Sequence, residues 1–452
     1  MLKALRKKLK RAGKTCLKGQ KKQEPKSCFN ISRSVKKIPG NADVLGIGTR
    51  QNGKSAEGKV YSLKKGCVPT AHNTLVIAST SAGKEDAYIK PSILQNIRRG
   101  NSVVVLDTNG ELYTETVRIA AKCGYRHRSL DLRPESFVLA GCDLLGPLRD
   151  GDDMKATILA TTIIANTLTG ERMDHWADAE LHLLKALMLY MACDGKLQDE
   201  RRANLPFIYD IITENTVMYI DRLFENLPEK HPAMASYQKY ASLDYTAKEQ
   251  VLNGLAKRFA TLSDKHLRDL VTGCNIGLTW PMEERCIYYV ILPPDLQKTP
   301  FIVPLFFSEL FHELFRYSDS VNPDKRIPVT VMLNGIANIG VIPRLPQIMS
   351  VAGSRGISIT VTAENFSQLE QLYPGEAPLI ADNSFIKVLL GNITANTARD
   401  FSTYYPDLTE DNLTGMQEDH LVVLANGFAP VELKKFSFAE YKEAQSRRKN
   451  WT

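Results

Sequence analysis

The sequence contains no long apolar run. Apolar residues make up 43% of its 452 residues, but no stretch approaches the roughly 18 uninterrupted apolar residues of a membrane-spanning helix. The two nearest candidates, 286–292 and 301–314, carry or adjoin prolines and charges. This absence argues against a transmembrane segment, so we expect a globular chain in the cytoplasm.

Cysteine spacings that bind metals or form disulfide frameworks are also lacking. The eight cysteines include no C-x-x-C pair and no spacing suited to zinc, which argues against a zinc module and a disulfide-stapled secreted domain. The N-terminus lacks the apolar core and small-residue cleavage site of a secretory signal. We therefore expect reduced, mostly structural thiols.

Acidic residues are nearly absent from the N-terminal segment. Residues 1–37 contain fourteen Lys or Arg against the single acid Glu24, a net charge of +13. Because the whole chain carries +8, the remainder carries −5. Leu2, Leu5 and Leu9 would share one helical face. The segment is either a disordered, solvated tail or a cationic arm for anionic lipid or nucleic-acid phosphates, and both interpretations stay open.

A segment typical of a phosphate-binding loop follows the apolar run 74–77. Residues 78–85 read A-S-T-S-A-G-K-E. Such a loop works because small residues let backbone N–H groups surround phosphate oxygens, a lysine reaches the terminal phosphates, and a following Ser or Thr ligates Mg²⁺. Gly83 and Lys84 fit this pattern, but Ala78 and Glu85 replace the first glycine and the hydroxyl. The candidate nucleotide-binding residues here are Ser79, Thr80, Ser81, Ala82, Gly83, Lys84 and Glu85.

A second motif lies about 250 residues later. Residues 329–333 read as a buried strand of a parallel sheet, and the strand ends in Asn334-Gly335. In an active ATPase of this type, an Asp at the strand end holds Mg²⁺ and a following Glu polarises the attacking water. Asn334 and Gly335 can do neither well. We therefore assign no catalytic residue. The substitutions favour inactive or weak ATP hydrolysis.

The charge of Glu85 strengthens this expectation. A carboxylate about 4 Å from a phosphate charge would be repelled by roughly 4 kcal/mol at an effective dielectric constant near 20. That energy corresponds to about a thousandfold in affinity. Glu85 could offset part of the cost as a Mg²⁺ ligand or by turning to solvent, but neither choice restores a carboxylate at Gly335.

Hydrophobic periodicity predicts an α/β protein with an inserted helical domain. Strand and helix signals alternate over 72–147, the pattern is helical over 152–265, and strand signals resume at 286–292. A doubly wound, mostly parallel sheet interrupted by an all-α domain accommodates this order. The predicted divisions are a basic, disordered tail at 1–43, the first part of a nucleotide-binding domain at 44–150, the all-α domain at 151–280, the second part of the nucleotide-binding domain at 281–440, and a C-terminal tail at 441–452.

The sequence segments around these motifs resemble those of a known family. The chain is similar to the type IV coupling proteins, the TraG/TraD-type ATPases of conjugative DNA transfer and type IV secretion, over roughly 44–440. The resemblance rests on an ordered series of segments: K-P-S-I-L-Q at 90–95, D-T-N-G-E-L at 107–112, H-W-A-D-A-E at 175–180, I-A-N-I-G at 336–340, S-R-G-I-S at 354–358, N-F-S-Q-L at 365–369 and L-G at 390–391.

The resemblance implies a RecA-like P-loop NTPase fold and further site residues. It adds Asp107 and Arg355 to the nucleotide-binding candidates and implies ATP and Mg²⁺ as ligands, although the substitutions make their binding doubtful. Several positions depart from the family's residues, and each departure touches the nucleotide. The departing residues are Ala78, Glu85, Asn109, Asn334, Gly335, Gly353 and Glu364.

The resemblance also implies partners and a place of action. Six family subunits form a ring at the inner face of the cell membrane, and ATP hydrolysis drives single-stranded DNA through it. We expect single-stranded DNA or a relaxase–DNA complex, type IV secretion subunits and an anionic membrane surface near residues 1–37 as partners, and a homo-hexamer or association with an intact paralogue as the assembly. A family member commonly has a membrane anchor, whereas this sequence shows none, so we expect a peripheral location.

Two functions compete at this point. One is a coupling-protein-like component of a conjugation or type IV secretion apparatus that has impaired or lost ATP hydrolysis and acts in recruitment or assembly. The other is an active ATP-driven translocase of single-stranded DNA with unconventional site residues. A decaying remnant of a mobile element is a third possibility, and the sequence alone leaves it open.

Overall fold

The structure, a computed structural model, describes most of the chain after residue 70. The described residues are 29–32, 44–48, 59–63, 69, 71–134, 136, 141–145, 148, 151–167, 176–194, 197, 203–273, 275–295, 301–405 and 407–446. Within these residues, every helix is too short or too polar to cross a lipid bilayer.

Twelve strands, counted among the described residues, form one sheet. They are β1 (Phe29–Ser32), β2 (Val44–Gly48), β3 (Val60–Leu63), β4 (Thr74–Ile77), β5 (Ser102–Asp107), β6 (Arg126–Asp131), β7 (Cys286–Ile291), β8 (Val329–Leu333), β9 (Ile357–Ala363), β10 (Ile386–Leu390), β11 (His420–Ala425) and β12 (Val431–Lys434). Their order across the sheet is β1-β3-β2-β12-β11-β10-β4-β9-β8-β5-β7-β6.

Seventeen α-helices are assigned among the described residues. They are α1 (Lys90–Arg99), α2 (Glu111–Lys122), α3 (Asp153–Asn166), α4 (Ala177–Cys193), α5 (Leu205–Glu214), α6 (Val217–Glu225), α7 (Met234–Ala241), α8 (Tyr245–Arg258), α9 (Lys265–Thr272), α10 (Trp280–Glu283), α11 (Ile302–Ser320), α12 (Leu345–Ala352), α13 (Phe366–Leu372), α14 (Ala377–Asp382), α15 (Ala395–Tyr404), α16 (Glu410–Thr414) and α17 (Phe438–Ser446).

The seven strands from β10 to β6 are parallel. β4 lies between β10 and β9, and Val76 is in register with Val388 on one side and Thr362 on the other. The strand β5 is buried along its whole length, with Val104 facing one apolar cluster and Val105 the other. Burial on both faces explains the continuous β-branched runs in these strands, because a parallel sheet is covered by helices on both sides. The predicted doubly wound sheet is therefore present.

The five remaining strands extend the sheet in antiparallel fashion. β11 pairs with β10, β12 with β11, β2 with β12, β3 with β2, and β1 with β3. This extension corrects one prediction, because β1 lies inside the segment 1–43 that the sequence assigns to a disordered tail. Its residues pair with β3 from Phe29 opposite Leu63 to Ser32 opposite Val60. A four-residue edge strand has no periodic signal of its own, so its pairing was not visible in the sequence.

The C-terminal boundary also differs from the prediction. The predicted tail at 441–452 begins inside α17, and Tyr441 is almost fully buried against the cluster that covers one face of the sheet. Tyr441 packs edge-on against Phe436, with ring centroids 6.0 Å apart. The residues after 446 lie outside the described part of the chain.

The elements between β6 and β7 are helical in the described residues. Three of these helices, α3, α8 and α9, begin at caps that the sequence supplies, because the Asp152, Asp244 and Asp264 side chains accept backbone N–H groups of the first turns. A buried ion pair joins two of these helices, with Arg258 Nε 2.6 Å from Glu180 Oε2. Gly254 makes room for that carboxylate, since a Cβ there would lie 1.7 Å from Glu180 Oε1. This helical unit corresponds to the predicted insert, whose boundaries at 151 and 280 stay predictions.

Candidate nucleotide site at the carboxyl edge of the sheet

Three chain segments meet where the central parallel strands end. The loop after β4 begins at Ala78, whose N–H donates to Ala363 O at the end of β9 over 3.0 Å. Asn334 follows β8, the next strand in the sheet. The carboxyl ends of parallel strands form the usual ligand-binding edge of such sheets. The structure therefore brings the two sequence motifs together.

Part of the loop forms a tight turn with its own hydrogen bond. Residues Thr80–Ala82 form a 3₁₀ turn, and the Ala82 N–H donates to Ser79 O over 3.0 Å. Gly83 has a φ of +65° and would leave open space around a Cβ, so the glycine is required by backbone conformation and not by packing. The Ala82 N–H is therefore already hydrogen-bonded within the loop.

An irregular helical turn follows the loop. Residues Glu85–Ile89 form a π-helical turn that continues into α1. Single π turns inside helices are uncommon and are frequent at functional sites. The helix N-terminus that would face a phosphate therefore begins with Glu85 and Asp86, two acids.

The loop lysine is already paired with a carboxylate. Lys84 Nζ lies 3.2 Å from Glu85 Oε1, and both side chains are only partly exposed. The Asn334 amide lies on the other side of the same oxygen, with Nδ2 3.4 Å from Glu85 Oε1. Glu85 therefore supplies the negative charge that Lys84 faces, in the place where a phosphate would compete for it.

The orientation of the Asn334 amide is fixed by its neighbours. Asn334 is fully buried, and its Oδ1 accepts from the Thr362 hydroxyl over 3.2 Å. The same hydroxyl accepts from the Gly335 N–H over 2.6 Å. Because Oδ1 is an acceptor in this chain, Nδ2 is the end that faces Glu85. An aspartate at 334 would place a second carboxylate against Glu85, so the two substitutions are matched in charge.

Gly335 has a backbone that favours glycine. Its φ is +77°, and a Cβ would approach Asn338 Nδ2 to 2.8 Å and Thr108 Cγ2 to 3.5 Å. A side chain at this position is strained by the left-handed conformation and must also displace Asn338. The backbone at this position therefore disfavours a glutamate side chain.

Two further side chains hold the loop from outside. Thr80 Oγ1 donates to Glu364 Oε1 over 2.8 Å, which places a second carboxylate beside the loop. Lys435 Nζ donates to Ala82 O over 2.7 Å from the segment after β12, and burial lowers the pKa of this lysine. Ser79 and Ser81 only approach each other, with hydroxyl oxygens 3.5 Å apart.

Asp107 acts on the local backbone. It is fully buried at the end of β5, where Oδ1 accepts the Gly110 N–H over 3.0 Å and Oδ2 the Tyr113 N–H over 2.8 Å. Burial raises the pKa of Asp107, and these backbone hydrogen bonds oppose the shift. The side chain thus shapes the turn into α2, a capping role that the sequence interpretation missed.

Arg355 does not join the loop within one chain. It precedes β9, so it lies at the amino end of a strand whose carboxyl end meets Ala78. Its Nε and Nη2 each lie 2.9 Å from a carboxylate oxygen of Asp319, and its guanidinium lies over the Phe315 ring at 4.9 Å from the centroid. Gly353 lies at the same edge.

A charged cluster away from the loop contains residues of two segments that carry the family resemblance, 90–95 and 107–112. Lys90 is almost fully buried and contacts three carboxylates, those of Asp86, Glu111 and Glu115, while the Phe438 ring lies 5.6 Å away. Burial opposes the charge on Lys90, but its hydrogen bonds to the three acids outweigh burial and raise its pKa. The acids lie close enough to hold a metal ion, yet the ammonium group already lies among them. The cluster fastens α1, α2 and α17 to one another.

The residues at the loop do not fit a Mg²⁺–nucleotide in the way the resemblance implies. The cradle keeps Gly83 and Lys84, but Lys84 is engaged by Glu85, and Glu364 adds negative charge at Thr80. Phosphate binding would have to displace the Glu85 carboxylate from the lysine. Lys435 and Thr362 are participants that the sequence analysis missed, and only their position in the fold identifies them.

Comparison with protein families gives a match over most of the chain. The family model described as Type IV secretory system Conjugative DNA transfer matches residues 26–409. A search of the curated proteins finds no match.

Solved structures share the fold at low sequence identity. The bacterial conjugative coupling protein TrwB, in a truncated form with sulphate, is 13% identical, with a TM-score of 0.60, 80% of this chain and 85% of that chain covered. TrwB with ADP and Mg²⁺ is 14% identical, with a TM-score of 0.62 and coverage of 83% and 87%. VirB4 of Thermoanaerobacter pseudethanolicus is 16% identical, with a TM-score of 0.53 and coverage of 90% and 99%.

These matches settle fold and family. The predicted RecA-like P-loop NTPase fold is confirmed by the sheet and by the similarity to TrwB and VirB4. The family model covers far more than half of the chain, which agrees with the residues that carry the resemblance. The chain therefore belongs to the type IV secretory system conjugative DNA transfer family, the coupling proteins of conjugation.

Proposed function

We propose that this chain is a coupling-protein component of conjugative DNA transfer whose ATP hydrolysis is impaired or lost, and that it acts in recruitment or assembly. The observation that carries the proposal is the Glu85 carboxylate lodged between Lys84 Nζ and the Asn334 amide. It opposes phosphate binding at the one lysine the loop retains. The left-handed backbone of Gly335 supports the same conclusion.

Ring assembly forms part of the proposal. TrwB has been solved with ADP and Mg²⁺, and the resemblance implies a ring in which nucleotide lies between neighbouring subunits. Arg355 and Gly353 lie at the opposite edge of the sheet from the loop, so in a ring Arg355 would act on a neighbour's site. Because its guanidinium is paired with Asp319, that action requires the pair to open.

A phosphate-release assay tests the hydrolysis claim. We expect steady-state turnover at least about 10³-fold below that of an intact coupling protein, since a Mg²⁺ ligand and the water-activating acid are both missing. The control is Lys84→Ala, which should leave the low rate unchanged. Turnover near about 1 s⁻¹ that disappears in Lys84→Ala would overturn the proposal.

The specific role of Glu85 separates the two functions. If Glu85 blocks the lysine, Glu85→Gln should strengthen Mg²⁺-dependent ATP-analogue binding by about tenfold or more. If Glu85 is instead the metal ligand of an active translocase, the same change should abolish binding and turnover. One observation supports the active translocase. Glu85 places a carboxylate beside Asn334, where the side chain of residue 334 itself has none. Glu364→Gln is the matched control for loss of one acid near the loop.

Partial repair gives a second test. Ala78→Gly, Glu85→Thr and Asn334→Asp together should restore measurable Mg²⁺-dependent nucleotide binding, since Gly83 and Lys84 remain in place. Adding Gly335→Glu should not give the full hydrolytic rate, because the backbone there has a φ of +77°. A folded triple variant that binds no nucleotide would show that the loop cannot reopen.

The basic N-terminal segment is proposed to carry the affinity for anionic partners. Eleven of its fourteen basic residues precede residue 29, where β1 begins. Deleting 1–28 therefore removes most of the charge and spares the strand. We expect the deletion to abolish salt-sensitive binding to anionic vesicles and single-stranded DNA, because screening shortens from about 10 Å at 0.1 M to about 3 Å at 1 M salt. Undiminished binding would place the basic surface on the folded part.

A further inference from the structure

The helix α3 is the first helix of the helical insert. One side packs against α4 of the insert and another against α11, whose apolar residues share a buried cluster with strands of the sheet. Buried polar contacts fasten α3 at both ends. Such contacts are directional and leave a costly unpaired group when broken, so they hold position more strictly than apolar packing does.

The N-terminal end of α3 is fastened by an ion cluster. Lys155 Nζ lies 2.7 Å from Glu313 Oε1 and 3.2 Å from Glu309 Oε2, and all three side chains are at least 95% buried. The acids come from α11 in the sheet layer. This end of α3 therefore moves with the sheet.

The C-terminal end of α3 is hydrogen-bonded to the loop that follows β8 and Asn334. Asn166 Nδ2 donates to Val341 O over 2.8 Å, and the Val341 N–H donates to Asn166 Oδ1 over 2.6 Å. One side-chain amide thus satisfies both backbone groups of Val341, seven residues after Asn334 in the chain. The neighbouring Ile342 N–H donates to the Tyr373 hydroxyl over 3.0 Å. Asn166 and Tyr373 hold the loop from two sides.

The next residue joins the same end of α3 to the rest of the insert. Thr167 Oγ1 lies 3.2 Å from Arg258 Nη1 in α8, and Arg258 Nε donates to Glu180 Oε2 of α4 over 2.6 Å. Glu180 closes the recognised segment 175–180, and Val341 follows the recognised segment 336–340. Asn166 and Thr167 thus connect the segments 175–180 and 336–340. Neither segment contains a candidate nucleotide-binding residue.

We propose that Glu180, Arg258, Thr167, Asn166 and Val341 form a mechanical junction through which the helical insert sets the position of the loop after β8. A ligand that shifts α4 or α8 would then shift the loop, and anything that moves the loop would change the insert's affinity for that ligand, because coupling is reciprocal. The junction has this effect whether or not ATP is bound, so its failure is distinct from failure of the proposed function. Asn166 and Thr167 are positioning residues.

Hydrogen exchange of the full-length chain at the Val341 amide tests the junction. Thr167→Val keeps the side-chain shape and removes the oxygen that Arg258 contacts, without touching Val341. We expect exchange at Val341 to accelerate about fivefold or more, because the loop opens more often when its support is released. The matched control is Tyr237→Phe, which removes a hydroxyl contact to Asp221 elsewhere in the insert and should change Val341 less than about twofold.

Asn166→Ala calibrates the measurement, because it removes the acceptor of the Val341 N–H and should accelerate its exchange about tenfold or more. Acceleration in Asn166→Ala but not in Thr167→Val would overturn the proposal, since the link would then end at Asn166. Equal acceleration in Thr167→Val and Tyr237→Phe would also overturn it, as general loosening. Should Thr167→Val lose its cooperative melting transition, Arg258→Lys, which keeps the charge opposite Glu180, replaces it and must give the same selective acceleration.

Discussion

The nucleotide cleft and the α3 junction hold their polar groups in different ways. At the cleft, Glu85 is about one-quarter exposed and its contacts measure 3.2 and 3.4 Å. At the junction, Arg258 and Glu180 are at least nine-tenths buried and lie 2.6 Å apart. An exposed pair contributes little to stability, whereas breaking a buried pair leaves an uncompensated charge.

This difference accounts for where the chain departs from its family. Under the proposed loss of hydrolysis, substitutions at the loop would change ligand binding at small cost to the fold. Substitutions at the junction would destabilise the protein itself. Ala78, Glu85 and Asn334, which depart from the family, lie at the loop, whereas the retained segments 175–180 and 336–340 are connected by buried polar contacts.

The largest expected effect is at the buried end of α3. Lys155→Met leaves Glu309 and Glu313 without their shared cation and should lower the free energy of unfolding by about 3–5 kcal/mol. Lys185→Met is the control, because its partner Asp153 is two-thirds exposed, and it should cost less than about 1 kcal/mol. Chemical denaturation of both variants measures the two losses. Equal losses would contradict the distinction between buried and exposed pairs.

A pH dependence follows from the same cluster. Burial raises the pKa of Glu309 from 4.5 to about 7, and Lys155 opposes the shift. Because the folded pKa exceeds the unfolded one, Glu309 contributes stability that is fully present below pH 4.5 and is lost as pH rises through about 7. Glu309→Gln removes this titration. The charged groups that act on Glu309 are Lys155, Glu313 and Arg316.

The stability of wild type relative to Glu309→Gln should therefore fall by on the order of 3 kcal/mol between pH 4.5 and pH 8. Urea unfolding of both proteins at several pH values provides the comparison. A difference that is constant with pH would show that Glu309 keeps an ordinary pKa. Glu313→Gln is the companion variant. The net effect on Glu313 is a lowered pKa, so the stability that Glu313 contributes should be present above pH 4.5 and should be lost as pH falls below that value.

A smaller effect is expected at Gly254. Replacing a helical glycine by alanine normally stabilises a helix by up to about 1 kcal/mol. Here the new Cβ would lie 1.7 Å from Glu180 Oε1, so Gly254→Ala should destabilise by about 1–3 kcal/mol. Asn253→Ala, at the preceding exposed position, is the control and should be neutral or slightly stabilising. Thermal melting of both variants distinguishes the signs.

The smallest effect on stability is expected at the cleft. Glu85→Gln should change the free energy of unfolding by less than about 0.5 kcal/mol, because its ion pair with Lys84 is partly exposed. The same variant is expected to change nucleotide binding strongly. A loss of stability comparable to that of Lys155→Met would mean that Glu85 is a structural residue and that its partly exposed ion pair does not differ in kind from the buried Lys155 cluster.

The sequence predicted the central strands well because burial on both faces leaves a strong pattern. The strand at 329–333 has the predicted bounds, and β7 lies within the strand signal at 286–292. The strands β1, β2, β3 and β12 were missed. They have four or five residues each, too few for a local periodicity to mark them.

The candidate site was predictable in its position and less so in its contacts. The loop and Asn334 had to meet, because parallel strands end at one edge. Arg355 precedes its strand, and that order already indicates the opposite edge. The pairing of Lys435 with Ala82, 353 residues apart, carries no sequence signal. The engagement of Lys84 by Glu85 depends on rotamers that only the folded cleft defines.

The pairing of β2 with β12 bears on how the protein is made. Gly48 is opposite Leu433, so one edge of β2 has its partner only after nearly the whole chain has been synthesised. At about 5–20 residues per second the wait is on the order of tens of seconds. During that time an unpaired strand edge is open to wrong partners, including the same edge of another nascent chain. Expression at reduced temperature or with a chaperone that shields strand edges should therefore improve the yield of folded protein, and C-terminal truncation before residue 431 should yield aggregates.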